Sequence, residues 1–306
     1  MSQLTELQSR FAHVDFLTCR ELAPNFVAID VKTAFSTATL ALQGAHVLSW
    51  QPKGHKPVIW LSKAAKFAPG KSIRGGIPLC WPWFGPHATE TDYPSHGFAR
   101  TIDWSLLDAR KLPDGRVRLE FEPVMNDAAR TLWPHASAVK YSVTVGQELV
   151  VGLTTRNTGN TPFQIGQALH TYFTIGDIGQ VSVAGLEGSP YIDKVAGGKR
   201  KKQKGVVSFA GETDRIYLDT AGCAGILDPV LKRTLLITST GSRSTVVWNP
   251  GAAKAAKMGD FGKMNGKPGE DGMVCVETAN AATDIITLAP GESHRMTAQY
   301  RVIKHG

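Results

Sequence analysis

The sequence holds only four cysteines, Cys19, Cys80, Cys223 and Cys275, and none falls in a Cys-x-x-Cys or Cys/His spacing. That pattern signals neither a zinc site nor a disulfide framework, so no metal is expected and the thiols read as free and buried. Long apolar runs are also missing, and no window approaches the roughly 20 residues needed to cross a bilayer. The amino end, MSQLTELQSRFAHVDF, lacks a basic start followed by an apolar stretch, which is no signal peptide. The protein is therefore expected in the cytoplasm, with no membrane partner.

Charge of one sign is only mildly in excess. Thirty-four basic against 26 acidic residues give +8, a field that weakly favours anionic ligands. The one dense basic run, GKRKKQKG from Gly198 to Gly205, is bounded by glycines and reads as a solvated turn. Nucleic-acid binding would need stacking aromatics beside it, so no nucleic-acid partner is expected. Repeats, low-complexity linkers and long helical periods are scarce or missing as well. The 306 residues are accordingly expected to form a single domain, 1–306, with a monomer as the default.

What is present is β-pattern. Short runs rich in Val, Ile, Thr, Leu and aromatics recur between turn residues: TATLAL, VRLEFEP, VKYSVTV, LVVGLTTRN, TLLITST, TVVWNP, MVCVETA, HRMTAQYRV. Only MSQLTELQSRF and GAAKAAKMGDF look helical, each for one to three turns. Strands without intervening helices predict an all-β fold, an antiparallel sandwich of long sheets with few short helices.

Several residues in these strands carry chemistry. In ALHTYF, alternation puts His170 and Tyr172 on one face and Thr171 and Phe173 on the other. In MVCVETAN, Met273, Cys275 and Glu277 share a face, and a carboxylate in so apolar a run needs a partner or a task. A histidine and a carboxylate facing one ligand from opposite sides suit a reaction that removes one proton and supplies another, such as hemiacetal ring opening. Mutual attraction would favour a protonated His170 and an ionised Glu277. Arg74 in IRGG and Arg100 in HGFAR, if they converge, make an anion pocket; guanidinium groups bind phosphates through forked hydrogen bonds. Of Trp81, Trp83 and Phe84, at least two should plug the end of the sandwich and one should border the site. Asp214, in DRIYLDT, either orients hydroxyls or joins a surface ion pair.

Taken together and in this order, IRGGIPLCWPWFGPH, HGFAR, ALHTYF, DRIY, VVWNP and VCVETAN resemble the hexose-6-phosphate mutarotases, or glucose-6-phosphate 1-epimerases, of the aldose 1-epimerase superfamily. The likeness spans roughly residues 38 to 303. It implies a galactose-mutarotase-like β-supersandwich that interconverts the anomers of a hexose 6-phosphate without a cofactor. It further implies His170 as general acid and Glu277 as general base. Arg74, Ser95, His96, Arg100 and Asp214 would bind substrate, the arginines its phosphate and Asp214 a hydroxyl. Ser95 stands where some relatives carry glutamine, so its contact would be direct or through water. The competing readings are an aldose 1-epimerase acting on unphosphorylated sugar, which has no use for paired arginines, and a noncatalytic carbohydrate-binding or sugar-sensing protein, which needs no acid and base. A glycoside hydrolase would require two flanking carboxylates.

Overall fold

The computed structural model describes residues 2–264 and 266–305. Two eight-stranded antiparallel sheets dominate it. The first runs in the order Lys199–Lys202, Pro190–Asp193, Thr213–Leu218, Ser244–Asn249, Met273–Asn280, Gln167–Leu169 and Leu79–Cys80, with Tyr172–Thr174 also paired to Met273–Asn280. The second runs Ser182–Ala184, Cys223–Asp228, Arg233–Thr240, Ser293–Lys304, Leu149–Asn157, Ser137–Val145, Val117–Pro123 and Trp104–Lys111. A four-stranded meander, Leu17–Ala23 to His46–Pro52, adds a further layer.

The main core lies between the two large sheets, because inward residues of both belong to one cluster. Phe173, Val247, Val274 and Val276 come from the first sheet, and Tyr141, Val151, Leu153, Leu235 and Tyr300 from the second. Sheet period two then sends the alternate residues of the first sheet to its opposite face. There they form two smaller apolar clusters. One gathers Trp60, Tyr172, Trp248, Met273 and Cys275, and the other Cys80, Ala168, Ile216, Val246 and Ala279. Strand Met273–Asn280 is buried along its whole length, as expected for a central strand covered on both faces.

The two expected helices form, as Gln3–Arg10 and Gly251–Met258. The first is capped by Ser2, whose hydroxyl accepts from the Thr5 N–H, satisfying one of the free donors of a helix start. A third, Asp127–Leu132, is capped in the same way by Asn126; at six residues it is too short to show a helical period. The basic run is not a turn. Lys199–Lys202 is the edge strand of the first sheet, paired with Pro190–Asp193, and the turn lies just before it. Four exposed cations on an open edge discourage further strand pairing. The cysteines are free, but only Cys80 and Cys275 are buried; Cys19 is half-buried and Cys223 exposed.

Candidate active site

The site occupies the outer face of the first sheet, between the two small apolar clusters. Strand register sets its plan. Ile216 pairs with Val246 and Val246 with Glu277, while Asp214 pairs with Trp248, Trp248 with Cys275, and Cys275 with Tyr172. Glu277 is thus a single carboxylate set between apolar neighbours on its own strand, with Cys275 before it and Ala279 after it.

His170 falls in the break between Gln167–Leu169 and Tyr172–Thr174. Leu169 pairs with Thr278 and Tyr172 with Cys275, so continuity of register sets position 170 beside position 277. The break bends the chain without losing alternation. Thr171 turns inward to a hydrogen bond of 2.6 Å with the Tyr300 hydroxyl, Phe173 enters the core, and the His170 ring stacks on Tyr172 at 5.0 Å. His170 Nδ1 stands 3.4 Å from Glu277 Oε1. The two groups are neighbours, not opposed across a ligand. That fits the chemistry better, since the ring oxygen and the anomeric hydroxyl of a sugar sit on one carbon.

A cavity of about 280 Å³ opens over this pair, lined also by Arg74, Arg100, His96, Asp214, Trp248 and Lys254. Its walls come from loops held by glycine. Gly76, at φ 73°, passes so close to His46 that an added Cβ would stand 2.3 Å from the imidazole; only glycine permits that approach. Arg74 leaves this turn to donate from Nε to Asp260 at 3.0 and 3.1 Å and from Nη1 to the Tyr172 hydroxyl at 2.8 Å. Its guanidinium also lies 4.9 Å from the Phe261 ring centre. Arg100 donates from Nη2 to the Ser95 carbonyl at 2.8 Å, its buried Nε has no partner, and it has no carboxylate partner among the described residues. Lys254 is tied to Glu212 at 2.6 Å.

Electrostatics oppose the charge state expected from attraction alone. Burial holds the Glu277 carboxyl well above the usual carboxylate range, and Asp214 adds to this. Burial likewise holds the His170 imidazolium well below its ordinary range, reinforced by His96, Arg100 and Arg74. The ligand-free pair therefore favours the neutral arrangement, with its single proton on Glu277: desolvation outweighs the attraction of one ion pair. His96 is pushed down to about 3 by burial and by Arg100, and its Nδ1 accepts from the Gly85 N–H at 3.3 Å. That leaves Nε2 as the protonated nitrogen, a fixed neutral donor.

Of the residues singled out in the sequence, His170, Glu277, Arg74, His96, Arg100 and Asp214 line the one cavity; the Ser95 side chain does not, and Ser95 takes part through its carbonyl. Trp81 and Trp83 pack into the core while Phe84 borders the site. Sequence reasoning missed Trp248, Lys254 and Met258. The last two sit four residues apart on one side of Gly251–Met258, a spacing visible in the sequence. Asp260, which holds Arg74, carried no signal.

A histidine in contact with a buried carboxyl group, in a cation-lined cavity on one face of an antiparallel sandwich, is an arrangement that can move protons on a small polar substrate. Comparison with known proteins gives the family. The aldose 1-epimerase profile matches residues 28–301, and the chain belongs to that family. It is 41% identical over 246 residues to the Escherichia coli K12 protein named "Putative glucose-6-phosphate 1-epimerase", covering 80% of each chain. A Cenchrus ciliaris protein of the same name is 37% identical over 267 residues, covering 84% of this chain and 79% of that one. The crystal structure of a Salmonella typhimurium protein described as a "putative mutarotase (YeaD)" superposes with a TM-score of 0.87 at 36% identity, covering 98% of this chain and 99% of that one. The galactose-mutarotase-like supersandwich expected from the sequence is the fold observed.

Proposed function

We propose that this protein interconverts the α and β anomers of a hexose 6-phosphate, with D-glucose 6-phosphate as substrate, by acid–base ring opening and reclosure. The observation that carries the reading is the contact of His170 with Glu277 inside a cavity lined by three cations. The names of the relatives support the substrate. An epimerase for unphosphorylated sugar would have no use for a half-buried arginine without a carboxylate partner. The common core of the two large sheets supports reading 1–306 as one domain.

In this mechanism Glu277 takes the proton of the anomeric hydroxyl while His170 gives one to the ring oxygen. The bond between ring oxygen and anomeric carbon breaks, leaving an aldehyde. Rotation about the adjacent carbon–carbon bond presents its other face, and reclosure with the two roles reversed gives the opposite anomer. The pair holds one proton throughout, so its own net charge does not change during the reaction. Substrate completes the machinery: a phosphate dianion beside Arg74, Arg100 and Lys254 offsets the cations that hold His170 neutral, letting the proton pass from Glu277 to the imidazole. His96 Nε2 and Asp214 are then the neutral donor and the acceptor for sugar hydroxyls. The phosphate supplies remote binding energy that holds the reacting carbon over the pair.

The test is Glu277→Gln, with anomer exchange of glucose 6-phosphate followed by NMR or polarimetry. Loss of about 10²–10⁴-fold in exchange with binding largely retained is expected for a removed general base. Exchange unchanged in that variant would show the base to be another group, and retained binding without wild-type exchange would favour a sugar sensor.

A further inference from the structure

Anomerisation leaves two buried thiols unused, Cys80 and Cys275, and the second stands beside His170 and Glu277. Cys275 is fully buried, two residues before Glu277 on the same strand face, and it pairs laterally with Tyr172, two residues beyond His170. One ligand atom from each of His170, Cys275 and Glu277 lies within 4.8 Å of the other two. We propose that these three side chains form a binding site for a thiophilic divalent cation of the zinc type, which captures the catalytic pair and blocks ring opening.

Geometry supports this. Zinc bonds of 2.0–2.3 Å at tetrahedral angles put ligand atoms about 3.3–3.8 Å apart. The 3.4 Å between His170 Nδ1 and Glu277 Oε1 falls inside that range, and it is long for a hydrogen bond. Drawing the sulfur in requires a shift of about half an ångström per side chain, within ordinary rotamer adjustment. His170 Nδ1 and Glu277 Oε2 are buried and have no hydrogen-bond partner, a condition that costs stability and that a cation would relieve. His170 and Glu277 line the cavity, which gives room there for a fourth ligand, as in zinc sites that keep water.

Charge and ligand type agree. One thiolate, one carboxylate and one neutral imidazole balance a dication, so the occupied site buries no net charge despite Arg74 and Arg100 nearby. A sulfur ligand selects zinc or cobalt over magnesium or calcium. Binding displaces the thiol proton and the proton shared by the pair, so two protons leave for each metal bound. Chain spacing hid this site because His170, in a break between strands, meets the strand of Cys275 and Glu277 only through register.

The test uses the whole protein with ZnCl₂ and CoCl₂ as probes. Micromolar Zn²⁺ should inhibit anomer exchange competitively with sugar phosphate, reversibly on chelation. Co²⁺ should bind one to one and give the near-ultraviolet charge-transfer band of a thiolate ligand. Cys275→Ser should remain active, lose the band and need at least about tenfold more Zn²⁺ for the same inhibition. Cys275→Ala repeats the test should the serine variant fold poorly. No thiolate band in the wild-type protein, or a Zn²⁺ sensitivity in the cysteine variants equal to that of the wild type, overturns the proposal. The cobalt spectrum does not depend on the sugar substrate, so an error in the proposed reaction would leave this readout standing.

Discussion

Arg74 and Asp260 are 186 residues apart in the chain, yet the guanidinium Nε donates to both oxygens of the carboxylate, at 3.0 and 3.1 Å. The sequence suggests two arginines converging as a free anion pocket. Of the two, Arg100 lacks a carboxylate partner among the described residues, whereas Arg74 enters the cavity already compensated and held over Phe261. Its orientation is prepaid by Asp260. Releasing a fixed side chain costs about 0.5–1.5 kcal/mol on binding. Asp260→Ala should therefore raise KM for glucose 6-phosphate about 3–10-fold with a smaller effect on kcat, read from steady-state exchange rates. An unchanged KM would confine Asp260 to local structure.

Arg100 should carry the discrimination between phosphorylated and free sugar. A hydrogen bond to a charged group is worth about 1.5–3 kcal/mol, so Arg100→Ala should lower kcat/KM for glucose 6-phosphate about 10–100-fold and that for glucose far less. Lys254→Ala, which breaks a pair half-exposed to solvent, should act in the same direction but more weakly. Parallel assays on glucose, galactose and their 6-phosphates decide it; equal losses on both sugar types would indicate damage to the fold.

Stability and activity should respond oppositely to Glu277. Its folded-state pKa lies well above the ordinary 4.5, so above that pH the unfolded chain gives up a proton that the native state keeps. Stability is then lost as pH rises. His170, held well below its ordinary 6.5, binds fewer protons when folded, and stability is lost as pH falls below 6.5. Glu277→Gln, inactive by the proposed mechanism, should remove the alkaline loss and melt higher than wild type at neutral pH, by about 2 °C or more. Thermal scans from pH 5 to 9 would show it. A lower melting temperature for the variant would mean that the carboxylate is stabilised as the anion.

The turn at Gly97 should tolerate no side chain. It has φ 70°, and an added Cβ would stand 2.0 Å from the Trp81 carbonyl oxygen, the oxygen that accepts from the Phe98 and Ala99 N–H groups. Gly97→Ala should destabilise by about 2–3 kcal/mol and reduce exchange, because His96 and Arg100 flank the displaced segment. Gly54→Ala is the control. It shares the left-handed backbone, at φ 78°, with nothing within 4 Å, and should cost only about 1–2 kcal/mol without loss of activity.

Much of the fold and site was legible along the chain because sheets repeat every two residues. Alternation in MVCVETAN put Met273, Cys275 and Glu277 on one face, as observed, while Val274 and Val276 enter the core. The same rule in ALHTYF survived a break in the strand. Gly198–Gly205 misled because composition reports solvation, whereas pairing of Lys199–Lys202 with Pro190–Asp193 is a contact between segments. Asp260 and Lys254 were missed for a related reason: nothing local in GAAKAAKMGDF says which cavity its helix overlooks.

The sequence by itself determined the β class and the faces of the strands, since a period of two is a local property, and its motifs singled out His170 and Glu277 through family resemblance. Tertiary structure decided that His170 and Glu277 stand side by side at 3.4 Å, that one arginine arrives already balanced, and where the shared proton rests. Those outcomes depend on strand register and on desolvation, and neither exists until remote segments pack together and exclude water.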